Sequence, residues 1–181
     1  MAQLSLMPSP AALKKMIAQI CKKGRAGEIP GNQGIILGVR DYAITAGVSG
    51  AEFEHEPVSL GRAGRRFWWA PFLLKINGKR YVVFFDPRRK KTLTRAACRF
   101  IFSIMHTYIR EPNKLEYGDV GFIVLHFANS RNGARKVFAH VDDQSSYLTD
   151  KQIGGMIDAV YRIVDDVIER KKTSAPRRKV A

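Results

Sequence analysis

Cysteine and long apolar runs are both scarce in this 181-residue sequence. The chain has two cysteines, Cys21 and Cys98, and their separation suits neither a metal cluster nor the disulfide framework of a secreted protein. No apolar run approaches the roughly 20 residues of a membrane span, and the start lacks the basic and apolar regions of a secretory signal. These absences predict a cytoplasmic protein in a reducing compartment, without membrane association.

Acidic residues are also few compared with basic ones. Asp and Glu number 16 against 31 Lys and Arg, which gives a net charge of +15 and an isoelectric point near 10.2. Such an excess repels itself within the folded chain, and in return it attracts an anionic partner over long range. Nucleic acid, with DNA preferred, is the favoured partner. An anionic membrane surface, an acidic protein or a need for solubility alone would also account for the charge.

The length fits one domain with short extensions. We predict a loose start at residues 1–9, a single domain at 10–169 and a flexible basic tail at 170–181. The order of patterns is helix, three strands, helix, two strands, helix. It predicts an α+β fold in which a three-stranded antiparallel meander is followed by a helix and a second hairpin, with helices flanking the sheet.

Hydrophobic period and turn residues place the individual elements. Asn77-Gly78 and Asn132-Gly133 are dipeptides typical of tight hairpin turns, and Thr149 with Gln152 matches a capping box before the last helix. The segment 34–47 fits either a strand or an irregular inner segment. We predict helices at 10–23, 92–110 and from 150 onward, a Gly-rich loop at 24–34, and strands at 53–60, 65–76, 80–86, 120–128 and 135–142. The last helix is predicted to bury a stripe formed by Ile153, Met156, Ile157, Val160, Val164, Val167 and Ile168.

Basic residues gather in the strand region, on the helix at 92–110 and in the tail. Ten of them lie between Arg62 and Lys91, against the single acid Asp86. On the helix, a row at spacings of three and four residues projects from one side, where it would either follow a phosphate backbone or form an ordinary solvated face. That row is Arg95, Arg99, Ser103, His106 and Arg110. The predicted nucleic-acid-binding residues are Arg62, Arg65, Arg66, Lys79, Arg80, Arg88, Arg89, Lys90, Lys91, Arg95, Arg99, Arg110, Arg177, Arg178 and Lys179.

The order of elements across residues 53–127, with a helix in front, resembles the restriction-endonuclease-like superfamily, named PD-(D/E)xK after its motif. The resemblance implies carboxylates on the second and third strands that hold a divalent metal, beside a lysine that positions the nucleophile. In this chain Ala70-Pro71-Phe72 stands where the Pro-Asp pair would be. Asp86 follows two phenylalanines, and Lys90 lies four residues beyond it instead of two. The resemblance therefore implies the scaffold of the superfamily without its standard active site.

Three functions follow from these patterns. The first is a DNA-binding protein that grips phosphates through the basic hairpin, the helix face and the tail, and that needs no cofactor. The second is a Mg²⁺-dependent nuclease whose catalytic carboxylates have moved to Glu54, Glu56 and Asp86, joined by His55 or His140. The third is an interaction subunit that meets an acidic protein or sits in a nucleoprotein complex, with its acidic last helix or an exposed aromatic as the docking surface. The oligomeric state is left open.

Overall fold

A five-stranded mixed sheet forms the centre of the fold in the computed structural model. The structure describes residues 9–23, 28–53, 58–59, 65–66, 72–88, 93–129 and 135–174. The strands lie in the order β1 (Ser49–Glu52), β4 (Phe72–Ile76), β5 (Lys79–Asp86), β6 (Gly121–Ala128) and β7 (Lys136–Val141). The central β5 and β6 pair in parallel, and every other neighbouring pair is antiparallel. Two short strands, β2 (Val58–Ser59) and β3 (Arg65–Arg66), pair separately from this sheet.

Helices cover both faces of the sheet. On one face α3 (Arg95–Met105) and the start of α5 (Asp150–Ser174) pack on a large apolar core that includes Val82 of β5. On the other face α2 (Ile29–Thr45) contributes to a smaller core that includes Val83. Adjacent residues of a central strand therefore enter opposite cores, as the alternation of side chains along a strand requires. None of the helices within the described ranges has the length and apolar character needed to cross a membrane.

The remaining helical segments are short or lie at the amino end. α1 spans Pro10–Lys23, as the sequence predicts, and the backbone N–H of Ala12 donates to Ser9 Oγ at 3.2 Å. A π-helical turn, His106–Arg110, continues α3, and the one-turn α4 (Lys114–Tyr117) precedes β6.

The helix α2 replaces the loop and the strand or irregular segment that the sequence predicts between 24 and 47. Pro30 lies in its first turn, where a missing backbone donor is tolerated. Its buried glycines, which suggested a loop, serve a close contact instead. Gly34 accepts a hydrogen bond from the Arg135 backbone N–H at 2.9 Å, and a Cβ on Gly38 would lie 2.0 Å from the Arg135 carbonyl oxygen. The prediction failed because helix propensity penalises glycine without regard to what the helix packs against.

The α+β class is confirmed, but the predicted meander differs in its first two strands. The strand beside β4 is Ser49–Glu52, not 53–60. β4 itself begins at Phe72, whereas Arg65 and Arg66 of the predicted strand 65–76 form β3 in the separate pair. Phe53 is a buried core residue, packed edge-on against Tyr117 with ring centroids 5.1 Å apart, and residues 54–57 lie outside the described part. The hairpin at Asn77-Gly78 is confirmed, and both turn residues have the positive φ angles that such a turn requires.

The capping box and the second hairpin are confirmed as well. Gln152 N–H donates to Thr149 Oγ1 at 3.3 Å, and Thr149 N–H donates to Gln152 Oε1 at 2.9 Å. β6 and β7 pair as predicted, although their Asn132-Gly133 turn lies outside the described residues. α5 extends to Ser174, within the segment predicted as a tail.

The buried stripe predicted for α5 is wrong over most of its length. Ile153 and Ile157 are buried in the core. Met156 and the large aliphatic side chains after Ile157 are between 43% and 63% exposed, because the body of the protein covers only one side of the first turns. These exposed residues, which we name the α5 apolar face, are Met156, Val160, Ile163, Val164, Val167 and Ile168.

Candidate functional site

Asp86, the acid at the centre of the nuclease hypothesis, is engaged in an internal ion pair. It lies at the end of β5 with its side chain 3% exposed. Arg88 binds both carboxylate oxygens, from Nε at 2.6 Å and from Nη2 at 3.0 Å, and Leu93 N–H donates to Oδ2 at 3.3 Å. Burial acts to raise the pKa of Asp86, but the hydrogen bonds and charge of Arg88 prevail and lower it. Asp86 therefore anchors the segment between β5 and α3.

The other candidate ligands do not assemble around Asp86 in the described residues. Glu54, Glu56 and His55 lie outside them. His126 is level with Asp86 on the neighbouring strand, and its ring stacks on Phe138 at 5.0 Å and on His140 at 4.9 Å. Burial, assisted by His140, lowers the pKa of His126. Within the described ranges no three His, Cys, Asp or Glu side chains are grouped so that they could hold a metal ion.

The role of Asp86 can be tested by its removal. We expect Asp86→Ala to lower the free energy of unfolding by about 2 kcal/mol, less than a fully buried ion pair would lose, because the half-exposed Arg88 can be rehydrated. Because the pKa of Asp86 is lowered from 3.8, its contribution is complete above that value. It is lost as the pH falls through the lowered pKa, so the difference between wild type and variant should narrow in acid. Urea unfolding at neutral and acidic pH measures both effects.

Asp119→Ala is the matched control for this experiment. Asp119 also binds an arginine, Arg80, at 2.7 Å, but the pair lies at the surface. We expect its removal to change the free energy of unfolding by less than about 1 kcal/mol. Equal losses for the two variants would contradict the anchoring role of Asp86.

The row of polar residues on α3 is exposed only at its start, at Arg95 and Arg99. The segment Asp142–Thr149, which links β7 to α5, contacts Arg99 and Ser103. Ser103 is fully buried: its Oγ donates to the Arg99 carbonyl oxygen at 2.7 Å and accepts from Leu148 N–H at 2.9 Å. Arg99 Nε donates to the Ser146 carbonyl oxygen at 3.2 Å. The row therefore holds the linking segment in place.

Arg110, the last residue of that row, is a buried structural cation. Its Nη2 donates to the Val120 carbonyl oxygen at 2.5 Å, and its Nη1 donates to the Tyr147 hydroxyl at 3.2 Å. The guanidinium also lies 4.3 Å from the centre of the Phe122 ring, a favourable cation–π distance. Arg110 is 8% exposed, so this predicted nucleic-acid contact lies in the interior of the fold.

Tyr147 completes the cluster around Arg110. Its hydroxyl donates to Asp142 Oδ2, and its ring stacks on His106 with centroids 4.0 Å apart. Burial and the Asp142 carboxylate raise the pKa of Tyr147 to about 12. Tyr147 is therefore a neutral hydrogen-bonding residue that joins the linking segment to the end of α3. No sequence pattern singles it out, because its partners are distant along the chain.

Arg135 is a second internal cation that sequence reasoning missed. It is 5% exposed. Its guanidinium donates to the carbonyl oxygens of Pro87 at 2.7 Å, Arg88 at 2.8 Å and Phe127. It thereby ties together the ends of β5 and β6. Nothing near it in the sequence distinguishes it from a surface arginine.

The other predicted nucleic-acid-binding residues fall into two groups. Among those described, Arg80 and Arg88 form ion pairs with acids of the same chain. Arg99 donates to a backbone carbonyl oxygen, and the Lys79 ammonium lies 5.6 Å from the centre of the Tyr81 ring. Arg95 is exposed. Several of the counted positive charges are thus used within the fold. Outside the described residues lie Arg62, Arg89, Lys90, Lys91, Arg177, Arg178 and Lys179; of Arg65 and Arg66 only the backbone, in β3, is described.

The surface feature that the cores leave unexplained is the α5 apolar face. Six large apolar side chains lie exposed along about four turns of one helix. Monomeric proteins seldom expose contiguous apolar surface of this kind unless it is used in binding. Asp158 and Asp165 follow one border of the face and Arg170 the other. The arrangement is typical of a protein-binding surface.

Comparison with known proteins identifies the family. A family model described as the sliding clamp-binding bacterial toxin SocB matches residues 2–174. No curated protein and no solved structure matches the chain. The family is described by a protein that it binds, so the prediction of a nucleic-acid-binding protein, with a nuclease as its alternative, is wrong. Of the predicted partners, only the protein partner agrees with the family. Because the match covers nearly the whole sequence, the chain belongs to the SocB family.

Proposed function

We propose that this chain is a bacterial toxin that acts by binding the sliding clamp. The observation that supports the proposal is the family match over residues 2–174, which includes every described element. We further propose that binding itself is the toxic event. Inhibition then follows the fraction of clamp that is occupied, which depends on the concentrations of the two proteins and on their dissociation constant.

The charge of the chain supports a particular kind of encounter. A net charge of +15 would favour binding to an acidic protein surface. The main effect would be a higher association rate constant, with a smaller effect on the dissociation rate constant. We therefore propose that the contacted region of the clamp is acidic. An acidic protein thus takes the place of nucleic acid as the reason for the basic composition.

Binding to the purified clamp tests the proposal. We expect the full chain to bind the sliding clamp of its own bacterium with a dissociation constant of about 1 μM or tighter, measured by surface plasmon resonance. Raising the salt concentration should lower the association rate more than it changes the dissociation rate. Absence of binding at tens of micromolar by a chain with a normal circular dichroism spectrum would overturn the proposal.

Toxicity in cells provides the second arm of the same experiment. If occupancy of the clamp is the toxic event, extra clamp should restore the growth of cells that express the chain. Two variants locate the contact: a chain without residues 2–8, which belong to the matched span, and Val164→Glu in the α5 apolar face. A variant that keeps its fold but loses both clamp binding and toxicity identifies the binding segment. Toxicity that persists without binding would contradict the occupancy mechanism.

We also propose that the sheet retains a restriction-endonuclease-like core, and this proposal concerns the fold alone. The support is the order of elements: β1, β4 and β5 are antiparallel neighbours, and α3 then leads to β6, which pairs in parallel with β5. Superposition of a crystal structure of this chain on members of that superfamily would decide the question. No chemistry of that superfamily is carried over with the proposal.

A further inference from the structure

The α5 apolar face belongs to a regular seam along the helix. Ile153, Ile157, Val160, Val164 and Val167 follow one another at alternating spacings of four and three residues. This is the spacing by which helices pair side by side. The first two residues of the seam are buried in the core of their own chain, whereas the last three are exposed. The seam thus continues beyond the body of the protein.

We infer that the α5 apolar face binds the same face of a second copy of this chain. The surface is large enough for a dimer. Its six exposed side chains present roughly 500 Å² per copy, or about 1,000 Å² for a pair, which is near the lower limit for a specific interface. Self-pairing is also chemically consistent, because β-branched residues occupy every exposed position of the seam and no buried polar group would lack a partner. This inference does not depend on the proposed function.

The charges at the end of the helix favour antiparallel pairing. Lys171 continues the seam four residues after Val167, and Arg170 lies beside it. In a parallel pair the two Lys171 side chains would face one another. In an antiparallel pair centred near Val164 they would lie about 20 Å apart along the axis, well beyond the Debye length of about 8 Å at physiological salt. Asp158 and Asp165 point away from the seam in either arrangement, so they do not oppose pairing.

Sedimentation equilibrium of the wild-type chain and two variants tests the inference. The wild-type chain, of 20.4 kDa, is expected to sediment at twice that mass at about 50 μM. Val164→Glu should sediment as a monomer with unchanged circular dichroism, because it places a charge in the centre of the seam. Arg162→Glu, on the opposite side of α5, should stay dimeric although it changes the net charge by a larger amount. A monomeric wild-type chain, or a dimeric Val164→Glu, would overturn the inference.

Disulfide cross-linking tests the direction of pairing. In the antiparallel arrangement Val160 of one copy lies near Val167 of the other, because both belong to the seam, and the distance is one that a disulfide spans. A mixture of Val160→Cys and Val167→Cys chains should therefore cross-link more than either variant alone, with wild type, which retains Cys21 and Cys98, as the background. Cross-linking of Val160→Cys alone would overturn the antiparallel arrangement. If the wild type is monomeric and Val164→Glu loses clamp binding, the face belongs to the clamp, and the dimer is refuted while the proposed function is supported.

Discussion

Replacing Gly38 by alanine is expected to lower the free energy of unfolding by about 3 kcal/mol. A Cβ at this position would lie 2.0 Å from the carbonyl oxygen of Arg135 and 3.0 Å from its carbonyl carbon. Both are backbone atoms, and Arg135 is held in place by its own backbone and side-chain hydrogen bonds. The added methyl group must therefore separate α2 from the start of β7. Urea unfolding of the variant measures the loss.

Gly155→Ala is the control for this prediction. Gly155 also lies inside a helix, but apart from its chain neighbours and the backbone of that helix, no described atom lies within 4 Å of the position that its Cβ would take. The same substitution should therefore raise stability by up to about 1 kcal/mol, because alanine has the higher helix propensity. If Gly38→Ala were as stable as the wild type, the close packing of α2 on Arg135 would be refuted.

Arg110→Ala is expected to lower the free energy of unfolding by about 3 kcal/mol, as much as the substitution at Gly38. The substitution removes two hydrogen bonds and the contact with the Phe122 ring, and it leaves the Val120 carbonyl oxygen in the core without its charged donor. It also creates a cavity where the aliphatic part of the side chain packed. Thermal and urea unfolding should both report the change.

Two further variants separate burial from charge at this site. Arg110→Lys keeps the positive charge but cannot reach two acceptors with a planar fork, so it should recover only part of the loss. Arg99→Ala removes an equal charge from an exposed position on the same row and should cost about 1 kcal/mol or less. An Arg110→Ala chain as stable as Arg99→Ala would show that Arg110 is not a buried structural cation.

The elements that the sequence predicted correctly are those specified by local chemistry. The Asn77-Gly78 turn, the Thr149–Gln152 capping box and the period of α1 each involve residues a few positions apart. The α2 helix and the first strand of the sheet could not be predicted in the same way. The glycines of α2 are explained by Arg135, about a hundred residues away, and the first strand is selected by its pairing with β4.

The functional interpretation failed for a related reason. The high net charge and the clustering of basic residues were interpreted as evidence for a binding surface. A count of charged residues, however, does not distinguish a solvated arginine from one whose guanidinium is buried and bonded to acceptors inside the fold. Arg110 is of the second kind, as is Arg135. The period of α5 likewise located its apolar side without showing that the protein body covers only Ile153 and Ile157. Which protein the family binds could not be deduced from composition, and it came from the family match.

The parallel contact of β5 with β6 has a consequence for how the chain reaches its folded state. In-register partners such as Tyr81 and Gly121 are 40 residues apart along the chain. The long segment between them must lose conformational entropy before the contacts of β5 with β6 can form. Topologies with such distant contacts therefore fold slowly. During synthesis β5 emerges well before β6, so its apolar edge is exposed to other chains in the interval. A newly made chain is therefore more vulnerable to aggregation and to chaperone capture than the folded one.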